Sequence, residues 1–94
     1  MKVFEGKSIL VTGSCGTIGS ELIQQLLNGD LYNPKEVIGI DNDESALFFQ
    51  DQLFLNETRA SFFVTDIRDC NELCNKMRGV DIVIHTAALK HVVL

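Results

Sequence analysis

Short continuous apolar runs alternate along the chain with longer stretches in which apolar residues recur at helical spacing. The runs Ile9-Leu10-Val11, Val37-Ile38-Gly39-Ile40, Phe62-Phe63-Val64 and Ile82-Val83-Ile84 do not alternate with polar residues. That pattern suits strands of a parallel sheet covered on both faces. It predicts strands over Lys7 to Thr12, Glu36 to Asp41, Ala60 to Thr65 and Val80 to Thr86. Between the first two, Ile18, Leu22, Ile23, Leu26 and Leu27 fall on one stripe of a helix from Thr17 to Asn28, which Asn28-Gly29 stops. Asp43 or a neighbour caps a second helix running to about Glu57, with Ala46, Phe49 and Leu53 as its inner face. Asp69 caps a third through about Arg78, closed by Gly79. On that helix Cys70, Leu73, Cys74 and Met77 form an i, i+3, i+4, i+7 stripe, which reads as core packing.

The order β-α-β-α-β-α-β with short loops predicts an α/β fold. It is a Rossmann-type doubly wound parallel sheet, represented by four strands in the order 3-2-1-4 and three helices. The strand order reverses beside strand one, so a ligand is expected above the carboxyl ends of strands one and four.

Composition narrows the partners. Ninety-four residues allow one small domain, and 46% apolar against 22% charged residues suits a globular chain with a core. Eight Lys plus Arg against thirteen Asp plus Glu give a net charge of −5 and no basic run, which excludes nucleic acid as the main partner. No apolar stretch approaches the roughly 20 residues of a membrane-spanning helix. The N-terminus lacks the pattern of a signal peptide. Three cysteines make no closed disulfide framework, so a reduced, cytoplasmic setting is the expectation.

The chemistry concentrates after strand one. Val11-Thr12-Gly13-Ser14-Cys15-Gly16-Thr17-Ile18-Gly19 ends a strand, turns on glycines at three-residue spacing and opens a helix. Gly13 and Gly16 permit a tight turn and the close approach of a pyrophosphate, and Gly19 lets the helix pack on the strand. Backbone N–H groups at the helix N-terminus suit phosphate oxygens. Asp41 ends strand two, 22 residues beyond Gly19, close to the ~20 expected of an acid that binds an adenosine ribose. It repels a 2′-phosphate, and Asn42 adds no cation to attract one, so NAD is expected over NADP. The plainer role of Asp41 is a helix cap. Asp66 and Ile67 lie at the same sheet edge, where a carboxylate and an apolar side chain suit adenine; as turn and cap residues Asp66 and Asp69 are equally well explained. Thr86, Ala87 and Ala88 are small where strand four leaves the sheet, which is compatible with a dinucleotide passing close by. Cys70 and Cys74 lack the partners of a metal site, and none is expected. Cys15 reads as a small turn residue before a reactive thiol, His85 as a satisfied core histidine, and Lys90 and His91 as candidates for ligand contact.

The glycine turn, Asp66-Ile67-Arg68-Asp69 and Asp81-Ile82-Val83-Ile84-His85-Thr86-Ala87-Ala88-Leu89-Lys90-His91-Val92 together resemble the extended short-chain dehydrogenase/reductases. Within them the chain is similar to the polysaccharide-biosynthesis branch that contains the UDP-N-acetylglucosamine 4,6-dehydratases. The resemblance implies a nucleotide-sugar-modifying enzyme that uses a bound NAD(P) as a hydride shuttle. Such an enzyme oxidises C4 of a UDP-amino sugar, eliminates water across C5 and C6, and returns the hydride to C6. A 4-epimerase is the near alternative, and a non-catalytic dinucleotide-binding module the alternative of another class. By position, Cys15 to Ile18 meet the pyrophosphate, Asp41 to Ala46 the ribose, Asp66 and Ile67 the adenine, and Thr86, Ala87 and Ala88 the dinucleotide. Lys90 lies near cofactor and sugar.

Three positions depart from the branch. Ser14-Cys15 replaces the commoner Gly-Thr or Gly-Gly, Thr86 stands where Ala is usual, and Val93 where Pro is usual. The Tyr-x-x-x-Lys pair that moves protons in the superfamily is not in this sequence, whose one tyrosine is Tyr32. Residues 1–94 are therefore expected to be the first part of a catalytic domain. No catalytic residue is assigned, and the 94 residues are expected to have no turnover alone. The full-length protein is expected to be a homo-oligomer.

Overall fold

A computed structural model describes residues 3–28 and 31–86. The elements are β1 (Ser8–Thr12), α1 (Thr17–Leu27), β2 (Glu36–Asp41), α2 (Glu44–Leu53), β3 (Ala60–Val64), α3 (Cys70–Lys76) and β4 (Ile82–His85). The sheet order is β3-β2-β1-β4 and every pairing is parallel. All four carboxyl ends therefore meet at one edge of the sheet. In register, Leu10 lies between Ile38 and Val83, and Thr12 between Ile40 and His85.

The continuous apolar runs report their positions. β1, with a neighbour on either side, is buried at all five residues. The outer strands are half-covered, with Val64 and Val83 exposed. Ile9, Val11 and Val37 project to one face, where they pack with Ile23, Leu26 and Leu27 of α1 and with the half-buried Phe54, Phe62, Ile82 and Ile84. Burying each such side chain contributes about 1.5–3 kcal/mol relative to leaving it in water. On the opposite face the Lys76 ammonium of α3 sits 4.0 Å over the Phe63 ring.

The N-termini of α2 and α3 are capped locally. The Asp43 carboxylate accepts the Ala46 N–H and the Asp69 carboxylate accepts the Glu72 N–H, as expected of these caps. Arg59 donates to the Leu27 carbonyl at the last turn of α1 while its guanidinium pairs with Glu57. That pairing holds the Glu57 carboxyl below its usual pKa.

Several inner faces differ from expectation. α2 is rotated: Leu47 and Gln50 are buried, Phe54 follows half-buried, and Phe49 and Leu53 are 70% and 67% exposed. The predicted trio Ala46, Phe49, Leu53 has the right period but is displaced by one residue, about 100° around the helix. A polar residue, Gln50, holds the inward position. α2 also ends at Leu53 rather than near Glu57. On α1, Ile18 is 55% exposed, although Gly19 beside it is buried. α3 buries none of its residues, so Cys70, Cys74 and Met77 do not form core. This helix is short, and each of its residues is exposed or half-buried. His85 is exposed, not core; its Nδ1 is hydrogen-bonded to Thr12 Oγ1 at 2.7 Å.

Candidate functional site: the glycine turn at the sheet edge

The turn begins at Gly13, whose φ of 72° lies in the left-handed region where a side chain is strained. Its N–H groups are spent internally. Those of Gly13 and Ser14 donate to the Ile40 carbonyl at 2.9 and 3.1 Å, and that of Gly16 to the Gly13 carbonyl at 3.0 Å. The N–H of Cys15 donates to the Asp41 carboxylate at 3.0 Å. The start of α1 is different. The first-turn N–H groups of Thr17, Ile18 and Gly19 have no acceptor within their own helix. Gly16, at the N-cap, has no side chain to offer one, and no acidic residue stands in the first turn. α2 and α3 carry Asp caps and a Glu in the first turn; α1 presents bare donors and the positive end of its dipole. An anion fits there.

Gly19 is required by packing. A Cβ on it would stand 2.1 Å from the Gly13 carbonyl oxygen and 2.9 Å from Thr86 Oγ1. Thr86, buried at the end of β4, donates its hydroxyl to the Thr12 and Gly13 carbonyls. Thus β1, the turn, α1 and the exit from β4 are drawn into one contact. Thr86 supplies a hydroxyl to this contact that an alanine would lack.

Asp41 is 4% exposed. One carboxylate oxygen takes the Cys15 N–H and the other the Asp43 N–H, each at 3.0 Å. Asn42 is exposed beside Asp41. Asp66 lies at the same edge, bound to its own chain: the Arg68 side chain donates to both carboxylate oxygens and the Arg68 N–H to one. These bonds hold its pKa at about 2. Ile67 is half-buried next to it. Ala87, Ala88 and Lys90 lie outside the described residues.

Sequence reading missed Gln50. Its side chain is 8% exposed, its Nε2 donates to the Ser14 carbonyl at 2.8 Å, and its Oε1 accepts from the Cys15 thiol at 3.5 Å. A glutamine between Phe49 and Asp51 carries no signal of this role. Only its inward phase on α2 and the 36-residue separation closed by the fold reveal it. Ser14 turns its side chain beneath the turn, and its Oγ is buried with no partner among the described residues. A Cβ on Gly39 would lie 2.9 Å from the Ser14 Cβ, so the strand below the turn is shaped to admit it.

Known proteins share this stretch of chain. The family model described as "Polysaccharide biosynthesis protein" matches residues 9–94. An uncharacterized membrane protein of Methanocaldococcus jannaschii is 42% identical over 97% of this chain and 26% of its own length. A UDP-N-acetylglucosamine 4,6-dehydratase (inverting) of Campylobacter jejuni is 40% identical over 96% of this chain and 26% of its own length. A UDP-glucose 4-epimerase of Rickettsia bellii is 31% identical over 96% of this chain and 26% of its own length. Among solved structures, Pen from Bacillus thuringiensis superposes with a TM-score of 0.83 at 30% identity, over 95% of this chain and 27% of that one. The chain thus spans about a quarter of the length of the proteins it matches. No helix among the described residues is long and apolar enough to cross a membrane.

Proposed function

Since the chain belongs to the polysaccharide biosynthesis protein family, we propose that it is the dinucleotide-binding part of a nucleotide-sugar-modifying enzyme. One observation carries the reading: the uncapped N-terminus of α1 and the Asp41 carboxylate stand together at the carboxyl edge of a parallel sheet. The first would take a pyrophosphate and the second an adenosine ribose. The cofactor we assign is NAD. A carboxylate at Asp41 disfavours a 2′-phosphate, and neither Asn42 nor Asp43 offers a cation to hold one.

When bound, the dinucleotide supplies a hydride acceptor and donor. The residues of this chain bind and orient it. Thr17 and Ile18 N–H groups hold phosphate oxygens, Asp41 accepts from ribose hydroxyls, and Asp66 with Ile67 borders the adenine. To Thr86, and by the family resemblance to Ala87 and Ala88, we assign contact with the dinucleotide, and to Lys90 contact with cofactor and sugar. The substrate we assign to the full-length protein is a UDP-amino sugar, and the reaction a 4,6-dehydration like that named for the Campylobacter relative. The Rickettsia relative supports a 4-epimerase as the second reading, since both reactions begin from the same dinucleotide site.

Two measurements test this. Calorimetric titration of the chain with NAD should show binding at one site, with NADP at least about tenfold weaker, and no binding of either would overturn the cofactor assignment. Full-length protein incubated with UDP-N-acetylglucosamine should yield a 4-keto-6-deoxy sugar. Conversion to the 4-epimer without loss of water would instead select the second reading.

A further inference from the structure

The turn that faces the dinucleotide is held by two side chains from outside the β1–turn–α1 segment whose bonds converge on the consecutive residues Ser14 and Cys15. Asp41, at the end of β2, takes the Cys15 N–H. Gln50, from the middle of α2, reaches the Ser14 carbonyl through its Nε2 and the Cys15 thiol through its Oε1. Asp41 belongs to the site already described. Gln50 touches no atom assigned to the cofactor, yet it holds one of the two buried positions of α2, the other being Leu47.

We propose that Gln50 is a positioning residue for the dinucleotide: it fixes the Ser14–Cys15 peptide, and through it the direction in which the α1 N-terminus presents its donors. The inference rests on the dinucleotide-binding reading of the site. The geometry gives the reason. A peptide plane is rigid, and the Ser14 carbonyl and the Cys15 N–H belong to the same one, so a donor on the first and an acceptor on the second fix that plane from both sides. The following residue, Gly16, is the N-cap of α1. Rotation of that plane would swing Thr17 and Ile18 relative to β1. Glycines at 13 and 16 give the turn the freedom to make that rotation, and a bond to the far side of the turn removes it. The donor requirement is chemical. Ser14 offers a carbonyl, which only accepts, so the residue at 50 must donate; Gln does so through its amide, while a carboxylate cannot. Leu at the same position would fill the space and leave the carbonyl unpaired.

The test uses three forms of the full chain, with NAD affinity measured by calorimetry between pH 5 and pH 8 and stability measured separately by urea denaturation without NAD. Gln50→Leu should weaken NAD about tenfold at every pH, the equivalent of one lost buried hydrogen bond of about 1.4 kcal/mol. Gln50→Glu should be at least as weak at pH 8, where its carboxylate faces the Ser14 carbonyl, and should recover towards wild type as the pH falls and the protonated carboxyl donates. A role in stability alone would lower the urea midpoint of both variants while leaving the NAD affinity of the folded fraction unchanged and free of the added pH dependence. That result would overturn the inference. If wild-type chain binds no NAD at all, the cofactor reading itself fails, so the two failures are told apart by the wild-type titration.

Discussion

The N–H of Cys15, in the glycine turn, donates to a carboxylate oxygen of Asp41 at 3.0 Å. This one bond ties the residue proposed to bind a ribose to the turn proposed to bind a pyrophosphate. The two halves of the candidate site are therefore built as one object, with strand β2 setting the shape of the loop after β1. The same carboxylate also accepts the Asp43 N–H ahead of α2. Its removal should be felt in stability before any ligand is added.

Asp41→Ala leaves the Cys15 and Asp43 N–H groups without their acceptor. The expected cost is about 1–3 kcal/mol for each of these groups that stays buried. Urea denaturation of the variant against wild type, without cofactor, should show a lower midpoint at similar slope. NAD affinity should fall further than stability alone explains.

Gly19→Ala would place a methyl carbon 2.1 Å from the Gly13 carbonyl oxygen. Backbone on both sides must move, which is overpacking of a rigid contact and should cost about 3 kcal/mol. Gly6→Ala makes a useful control. Nothing lies within 4 Å of the added carbon, and the penalty there is confined to a φ of 71°, roughly 1–2 kcal/mol. Denaturation midpoints should therefore fall much more for Gly19 than for Gly6.

Thr86→Val keeps the shape of the side chain and deletes its hydroxyl. The Thr12 and Gly13 carbonyls lose that donor where β4 meets the turn. A loss of about 1–2 kcal/mol is expected, again read by urea denaturation.

The rotation of α2 predicts opposite outcomes for neighbouring residues. Leu47→Ala should cost about 2–5 kcal/mol as a core truncation. Phe49→Ser, at a residue 70% exposed, should change stability by no more than about 0.5 kcal/mol. Equal losses at both positions would contradict the observed face.

Asp66 gives a pH signature. The side-chain and backbone hydrogen bonds from Arg68 lower its pKa from 3.8 to about 2. A folded-state pKa below the unfolded one means that the contribution to stability is present above about pH 4. It is lost as the pH falls through about 2. Arg68→Met should return the Asp66 titration, followed by carboxyl carbon NMR, towards the ordinary aspartate range.

The sequence carried the elements that local chemistry governs. Glycine spacing after an apolar run marks a tight turn wherever it occurs, and Asp43 and Asp69 cap helices through their own next turn. Continuous apolar runs marked four strands, and their alternation with helices led to the order 3-2-1-4. Each of these needs only neighbours along the chain, or a topology with few alternatives. The faces of α2 and α3 and the partners of Gln50, Thr86 and His85 were decided by tertiary structure. Period locates a stripe but not its phase when a polar residue is among those buried. Gln50 is buried because a carbonyl 36 residues away requires a donor, and that requirement exists only once β1 and α2 are folded against each other. Likewise the Cys15 N–H, legible as a phosphate donor in the sequence, is taken by Asp41 in the structure, and the bare donors lie further on, at Thr17 and Ile18. Sequence placed the glycine turn; the fold determined which of its hydrogen bonds are already made.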